Sequence, residues 1–521
     1  MANLVTNVGA AAEADPDATA IGFNGREISY GAFWERTGQF AKALDERGLG
    51  ADSRVAVYLP NLPQFVTTFH GSLRAGGVVV PMNPQYKSRE ISHLLSDSGA
   101  EVVVALADLV PFVNEVRDDT DVEYVVSVGG DAEGATAFDE FLADDTLEPV
   151  DRDADDMACQ PYTSGTTGQP KGVQLTHENL GSNADQAASL APGGIDADDR
   201  SFGALPLFHI YGMTVTMNAT LFNGGAYYPM PEWDAQDATD LVEEEQITLF
   251  HGVPAMYNDV INQPNAEEFD FSSVRMCGVG GSGIPVEVLR RFEELYEPKV
   301  YEGYGLTETS PVTHFNSPSW GRRVGSIGKP LEGVSSRVVD DDFNTLDPVE
   351  EGPLDEDDGD LDGMTGELVL SGPNVMKGYY NLPEANEEAF THADGKRWFH
   401  TGDIGYYDED DYYYIVDRKK HMINTAGYNV YPREVEELLF EHPAVADVAV
   451  VGIPDERRGE TVKAFVVLAD GEEATEDELK QYCLDNLAAY KHPREVAFVE
   501  ELPRTTTGKV QKFELVEQDA N

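Results

Sequence analysis

From residue 54 the chain alternates short runs of β-branched residues with longer stretches whose apolar positions recur at helical spacing. RVAVYLP at 54–60 gives way to NLPQFVTTFHGSLRAGG, then VVVP at 78–81, a helical pattern around REISHLLSDSG, and EVVVAL at 101–106. Strand, amphipathic helix and strand in that order predict βαβ units around a largely parallel sheet. The rhythm resumes between SFGALPLFH at 201 and KVYEGYG at 299. One large α/β region, built of more than one subdomain, is the expected result.

The pattern breaks twice further on. VDDDFNTLDPVEEGPLDEDDGDLDGMTGE, from Val339 to Glu367, is rich in Gly, Pro and Asp and has little apolar periodicity, so it predicts an exposed acidic loop. DEDDYYYIVDRKK at 408–420 changes composition abruptly. Beyond it, strand-like AVADVAVVGI and VKAFVVL alternate with helical patterns in YPREVEELLFEHP and TEDELKQYCLDNLA. A small α+β unit of about 100 residues is expected there. The predicted domains are 1–417 and 418–521.

Length agrees with this division, because 521 residues exceed what one hydrophobic core serves. Charge adds something the pattern does not show. Against 95 acidic residues stand 36 basic ones, for a net charge of -59 spread along the whole chain. Nucleic acid is excluded as a natural partner. Such self-repulsion is relieved when salt shortens the screening length to about 3 Å near 1 M, and only 14 of the basic residues are lysine. A halophilic cytosol is the expected setting. Cys159, Cys277 and Cys483 stand far apart, without metal or disulfide spacing, and are expected to be buried thiols. The first residues, MANLVTNVGAAAEADPDATA, lack the basic start and apolar core of a leader, and no apolar run is long enough to span a membrane. The expected location is the cytoplasm.

Several polar segments could carry chemistry. YTSGTTGQPKG at 162–172 looks like a phosphate loop, yet Pro170 stands where the nucleotide-hydrolase loop needs its second Gly, and Gly172 where it needs Ser or Thr. A Gly/Ser/Thr run can present backbone N–H groups and hydroxyls to an anion, with Lys171 adding charge. A flexible linker would read the same way. YEGYGLTETSP at 301–311 holds a Gly-aromatic-Gly turn and hydroxyls around an acid: Tyr304 offers a face to a base, Thr307 a donor to a phosphate, Glu308 a ligand to Mg²⁺. WFHTGDIGYY at 398–407 places Asp403 in an expected turn, where its carboxylate could accept two ribose hydroxyls. PRTTTGKVQK at 503–512 sets Lys509 after a Thr/Gly loop.

Together, and in this order, the segments resemble the adenylate-forming superfamily of acyl-CoA synthetases, luciferases and peptide-synthetase adenylation domains. The resemblance covers nearly the whole chain. It implies a large N-terminal domain of α/β subdomains and a small mobile α+β C-terminal domain. It also implies a two-step reaction: a carboxylate attacks the α-phosphorus of ATP, releasing pyrophosphate, and a thiol then attacks the acyl-adenylate. By resemblance, Thr163, Ser164, Gly165, Thr166, Thr167, Gly168 and Lys171 form the phosphate loop, with Thr166, Thr167 and Lys171 on the β- and γ-phosphates. Thr307 would hold the α-phosphate, Glu308 the Mg²⁺, and Asp403 and Arg418 the ribose, while Lys509 stabilises the charge that develops during adenylation. VDRKKHMINTAGYNVYPREVE at 416–436 resembles the hinge segment, with Lys420 the pivot and Gly427 lining the thiol tunnel. Members often carry lysine where this chain has Asn424. GVGGSGIP at 278–285 matches the turn that approaches adenine and acyl groups, bringing in Gly281 and Ser282, with Glu302 and Gly303 bordering the same site. His209, in PLFHIYGM, is the candidate gate to the acid.

The activity implied is an ATP- and Mg²⁺-dependent acyl-CoA ligase acting on a medium- or long-chain fatty acid, with CoA as co-substrate. An aryl-acid ligase of the coumarate or benzoate type, or a non-catalytic acyl- or nucleotide-binding homologue, is the alternative.

Overall fold

The structure, a computed structural model, describes residues 3–164, 170–354, 363–419, 421–425, 428–455, 457–469, 471–487, 489–504 and 510–519. Its alternation follows the apolar pattern. Strands Arg54–Tyr58, Val78–Pro81, Val102–Leu106 and Tyr124–Val128 lie parallel in one sheet, with helices Pro63–Arg74 and Ser88–Ser98 as crossovers. Valines fill these strands because helices cover both faces. The same sheet continues through Met157–Cys159 to Pro170–Thr176 and the short strand Gly378–Tyr379.

A second sheet has a parallel centre of Ala226–Pro229, Arg200–Gly203, Leu249–Gly252, Met276–Val279 and Val300–Gly305. Antiparallel Val312–Phe315 and Lys329–Pro330 close one edge, and Thr19–Phe23 with Arg26–Ser29 the other. Its core is aromatic: Phe250 stacks on Phe202, and Tyr257, Phe271, Phe292 and Tyr296 pack edge to face around it.

A third, antiparallel sheet joins Ser335–Val339, Gly366–Ser371, Lys396–Tyr407, Phe390–Ala393 and Tyr413–Arg418. The acidic stretch expected between Val339 and Glu367 is thus anchored by a strand at each end, and residues 355–362 of it lie outside the described residues. A fourth sheet starts at Ile423 and packs helices Pro432–Phe440 and Glu476–Asn486 over Val445–Asp455 and Gly459–Leu468. The α/β class, large N-terminal part and small α+β C-terminal part are those of the expected fold.

Cys159, Cys277 and Cys483 are free and buried. Among the described residues no helix is long and apolar enough to cross a membrane.

Candidate active site

Ligands of parallel α/β sheets sit at the carboxyl ends of the strands. Here Met276–Val279 runs into the turn Gly280–Gly283, and Val300–Gly305 runs into the short helix Thr307–Thr309. The expected Gly-aromatic-Gly turn is instead strand: Gly303 and Tyr304 pair with Phe315 and His314, and the chain bends only after Leu306. Pairing holds Tyr304 because Gly303 leaves room for the Phe315 ring, which would lie 2.7 Å from a Cβ at that position.

Tyr304 then reaches the third sheet. Its hydroxyl donates to Asp403 Oδ2 at 2.5 Å, and Arg418 Nε meets Asp403 Oδ1 at 2.9 Å. Asp403 is not a turn residue as expected. It lies inside Lys396–Tyr407, directly across the ladder from Arg418 in Tyr413–Arg418, so strand register makes the pair. Burial first, and the Asp403 carboxylate next, hold the Tyr304 phenol well above its usual range, so it stays a donor. Burial works against the charge of Arg418, but Asp403 and Glu308 outweigh it and its pKa is raised.

Glu308 is close enough to Arg418 to favour its charged form. Its Oε1 accepts from the Tyr379 hydroxyl at 2.9 Å, and its carbonyl accepts from Met376 N at 2.8 Å. Lys171 Nζ stands 5.0 Å from the centre of the Tyr379 ring. Lys171 is in strand Pro170–Thr176 rather than in a loop, opposite Thr163 in Tyr162–Ser164. The two ends of the phosphate-loop segment are therefore antiparallel partner strands, while Gly165, Thr166, Thr167 and Gly168 lie outside the described residues, as does the side chain of Ser164. Lys420, Gly427, Lys509 and the Asn424 side chain also lie outside them. Tyr379 was not foreseen: GYY carries no local signal, and its partner is 71 residues away.

His209 is set apart from this cluster but continuous with it. It precedes a π-helical stretch, Tyr211–Asn218, and its Nδ1 accepts from Tyr211 N at 3.3 Å. π-Helical turns are uncommon and concentrate at functional sites. The Tyr211 ring lies edge-on to His251 at 6.2 Å and packs against Gly280. His251 was also missed. Its buried imidazole, opposite Gly278 in the parallel ladder, is pushed down to about 4 by desolvation and is neutral. Gly281 and Ser282 are exposed at the turn, beside buried Glu302, whose carboxyl is raised to about 7, mainly by desolvation.

An aromatic ring, a paired carboxylate and guanidinium, and an acid and a lysine that share one tyrosine are the kind of groups an α/β nucleotide-binding enzyme presents. The chain belongs to the AMP-binding enzyme family: that family's model matches residues 8–380, and the model of the AMP-binding enzyme C-terminal domain matches 434–509. It is 36% identical to a long-chain-fatty-acid–CoA ligase of Bacillus subtilis, over 97% of this chain and 92% of the other. With a feruloyl-CoA synthase of Amycolatopsis it shares 35% identity, over 97% and 96%. ATP-bound MatB from Rhodopseudomonas palustris superposes with a TM-score of 0.89 at 32% identity, covering 99% of this chain and 98% of that one. The apo form of the same enzyme gives 0.78 at the same identity and coverage.

Proposed function

We propose that the protein is an ATP-dependent acyl-CoA ligase whose acid is a fatty acid of medium or long chain. A free carboxylate resists thiols because its charge is delocalised and its leaving group would be oxide. Transfer to AMP supplies a good leaving group, after which the CoA thiol completes the exchange. The observation that carries this reading is the pair of contact groups Tyr304, Asp403 and Arg418, and Glu308, Tyr379 and Lys171, with Glu308 favouring the charge of Arg418.

In this reading the Tyr304 ring stacks on adenine while its hydroxyl fixes Asp403. Both oxygens of Asp403 then face the ribose hydroxyls, and Arg418 holds that carboxylate in place. Lys171, with Thr166 and Thr167, steadies the β- and γ-phosphates, Thr307 the α-phosphate, and Lys509 the charge growing on the α-phosphoryl oxygens. Glu308 fits Mg²⁺: its carboxylate is held by the Tyr379 hydroxyl, whose ring Lys171 also meets, and this ion is commonly held by one or two carboxylates plus substrate phosphates. Bound there, it would neutralise phosphate charge.

Residues 1–417 would form the nucleotide and acid domain and 418–521 the mobile one, turning at Lys420 to bring Gly427 to the thiol. The higher score against the ATP-bound relative supports reading the present arrangement as the one for the nucleotide step. His209, with Tyr211 and His251, would gate the acid. The aryl-acid alternative draws support from the feruloyl-CoA relative.

A panel of fatty and aryl acids, scored in high salt for pyrophosphate release with and without CoA, tests the reading. Fatty acids of at least medium chain should stimulate release, and CoA should turn the product into a thioester. Stimulation by aryl acids alone would move the assignment to the second class, and none by any acid would overturn both.

A further inference from the structure

Arg433, the second residue of helix Pro432–Phe440, lies within the hinge segment on the C-terminal side of residue 420, yet it binds back to strand Tyr413–Arg418. Its backbone N–H donates to Asp417 Oδ2 at 3.1 Å, and its Nη1 reaches the Ile415 carbonyl at 3.4 Å. Nε pairs with Glu437 of its own helix at 2.8 Å. The guanidinium is pressed against Gly283: a Cβ there would lie 2.2 Å from Nη2. Buried Glu302 attracts the same guanidinium and accepts from the Ile284 N–H. One side chain thus joins the strand that ends at Arg418, the turn after Met276–Val279, and the strand that carries Tyr304.

We propose that Arg433 is a positioning residue, a latch that holds the small domain against the Gly280–Ile284 turn and Glu302 and so sets the share of catalysis spent in this orientation. The proposal rests on the reading that this orientation serves the nucleotide step. The latch touches the turn that carries Gly281 and Ser282, so a displacement of that turn by a bound nucleotide or acid is felt directly by the helix. Reorientation about residue 420 must break the contact to Gly283 and take the guanidinium away from the Glu302 carboxyl that attracts it, while the Glu437 contact travels with the helix.

Gly283 provides a test that removes no charge. Its backbone is outside the left-handed region, so alanine fits the main chain and meets only the guanidinium. Gly283→Ala, Arg433→Ala, Arg433→Lys and the double variant Gly283→Ala/Arg433→Ala are assayed as full-length proteins in high salt. Acid-dependent exchange of pyrophosphate into ATP reads the first half-reaction, and CoA-dependent consumption of preformed acyl-adenylate reads the second. Spin labels at Glu267→Cys and Asp477→Cys, both exposed and on opposite sides of the hinge, read the domain distance.

The latch predicts that Gly283→Ala and Arg433→Ala each lower exchange about fivefold or more, change the second half-reaction by less than about twofold, and broaden the distance distribution. The double variant should match the single ones, because both break one contact. Arg433→Lys keeps the charge but not the fork and should fall between. Equal loss in both half-reactions, unchanged distances, or additive effects would overturn the proposal. If the unaltered enzyme shows no exchange with any acid, the ligase reading fails, and the distances alone decide the latch.

Discussion

Asp403 presents two oxygens, and in this structure both are engaged, one by the Tyr304 hydroxyl and one by Arg418. Asp403→Asn keeps the size but not the charge or the second acceptor. Losing a hydrogen bond to a charged group costs about 1.5–3 kcal/mol, so the KM for ATP should rise about tenfold or more with the KM for the acid little changed. Steady-state kinetics with each substrate varied separately check this. Lys509→Ala should instead lower the adenylation rate on the order of a hundredfold, the scale for one oxyanion donor, and leave thioester formation from preformed acyl-adenylate intact. Glu302 makes a pH-dependent case. Its carboxyl is raised from 4.5 to about 7, so the folded protein favours the protonated form. Its stability contribution is therefore fullest below pH 4.5 and is lost as pH climbs through 7, by up to about 3 kcal/mol. Between pH 5 and 8 the melting temperature of the native protein should fall relative to Glu302→Gln. Parallel curves would refute the assignment. Tyr304, Glu308 and Asp403 were legible because each stands next to a glycine or a threonine, and Arg418 through the resemblance of its segment. Tyr379 and His251 were not, since their contacts come from residues far away in the chain, and Arg433 shows locally only its pair with Glu437.

At the scale of elements the apolar rhythm was the reliable guide, and the glycines misled. Valine runs and helical spacing placed the parallel strands, whereas Gly303, Tyr304, Asp403 and Lys171, read as turn or loop residues, all lie in strands. Glycine is permitted in a turn but demanded where a ring or backbone comes close, and the sequence does not distinguish the two. Gly278 is such a place, for a Cβ would come 2.3 Å from His251 Nδ1. The π-helical stretch after His209 has no signal of its own, since its apolar residues read as an ordinary buried helix. Helix Pro432–Phe440 shows how an element depends on its neighbour. The residue before it, Tyr431, makes no side-chain cap, and Asp417 from strand Tyr413–Arg418 supplies the carboxylate instead. Asp417→Ala should therefore destabilise the helix start by about 1 kcal/mol. Amide hydrogen exchange should quicken at Arg433 and Glu434 and stay unchanged in Glu476–Asn486, which caps itself through Thr475.

For the molecule as a whole the governing quantity is charge, -59 in 521 residues. In dilute buffer near 0.01 M the screening length is about 30 Å and repulsion acts across a whole domain, whereas near 1 M it shrinks to about 3 Å. Exposed ion pairs, such as Arg36 with Asp139, are weakened by the same screening. The pairs that shape the site are different, because their carboxylates are buried: Asp403 is 3% exposed, as is Asp199, which holds Arg275. Salt should then remove the repulsion that opposes folding without dissolving the contacts that form the site. The expected outcome is a melting temperature that rises steadily from 0.1 to 3 M KCl, on the order of such screening, with unfolding on dialysis into dilute buffer and a KM for ATP that stays nearly level above the salt concentration at which the fold is complete. Circular dichroism and steady-state kinetics across one salt series read both. A fold that survives dilute buffer would remove the case for a halophilic setting. A KM that climbs with salt in the fully folded protein would show instead that the Asp403 and Arg418 pair is open to solvent ions.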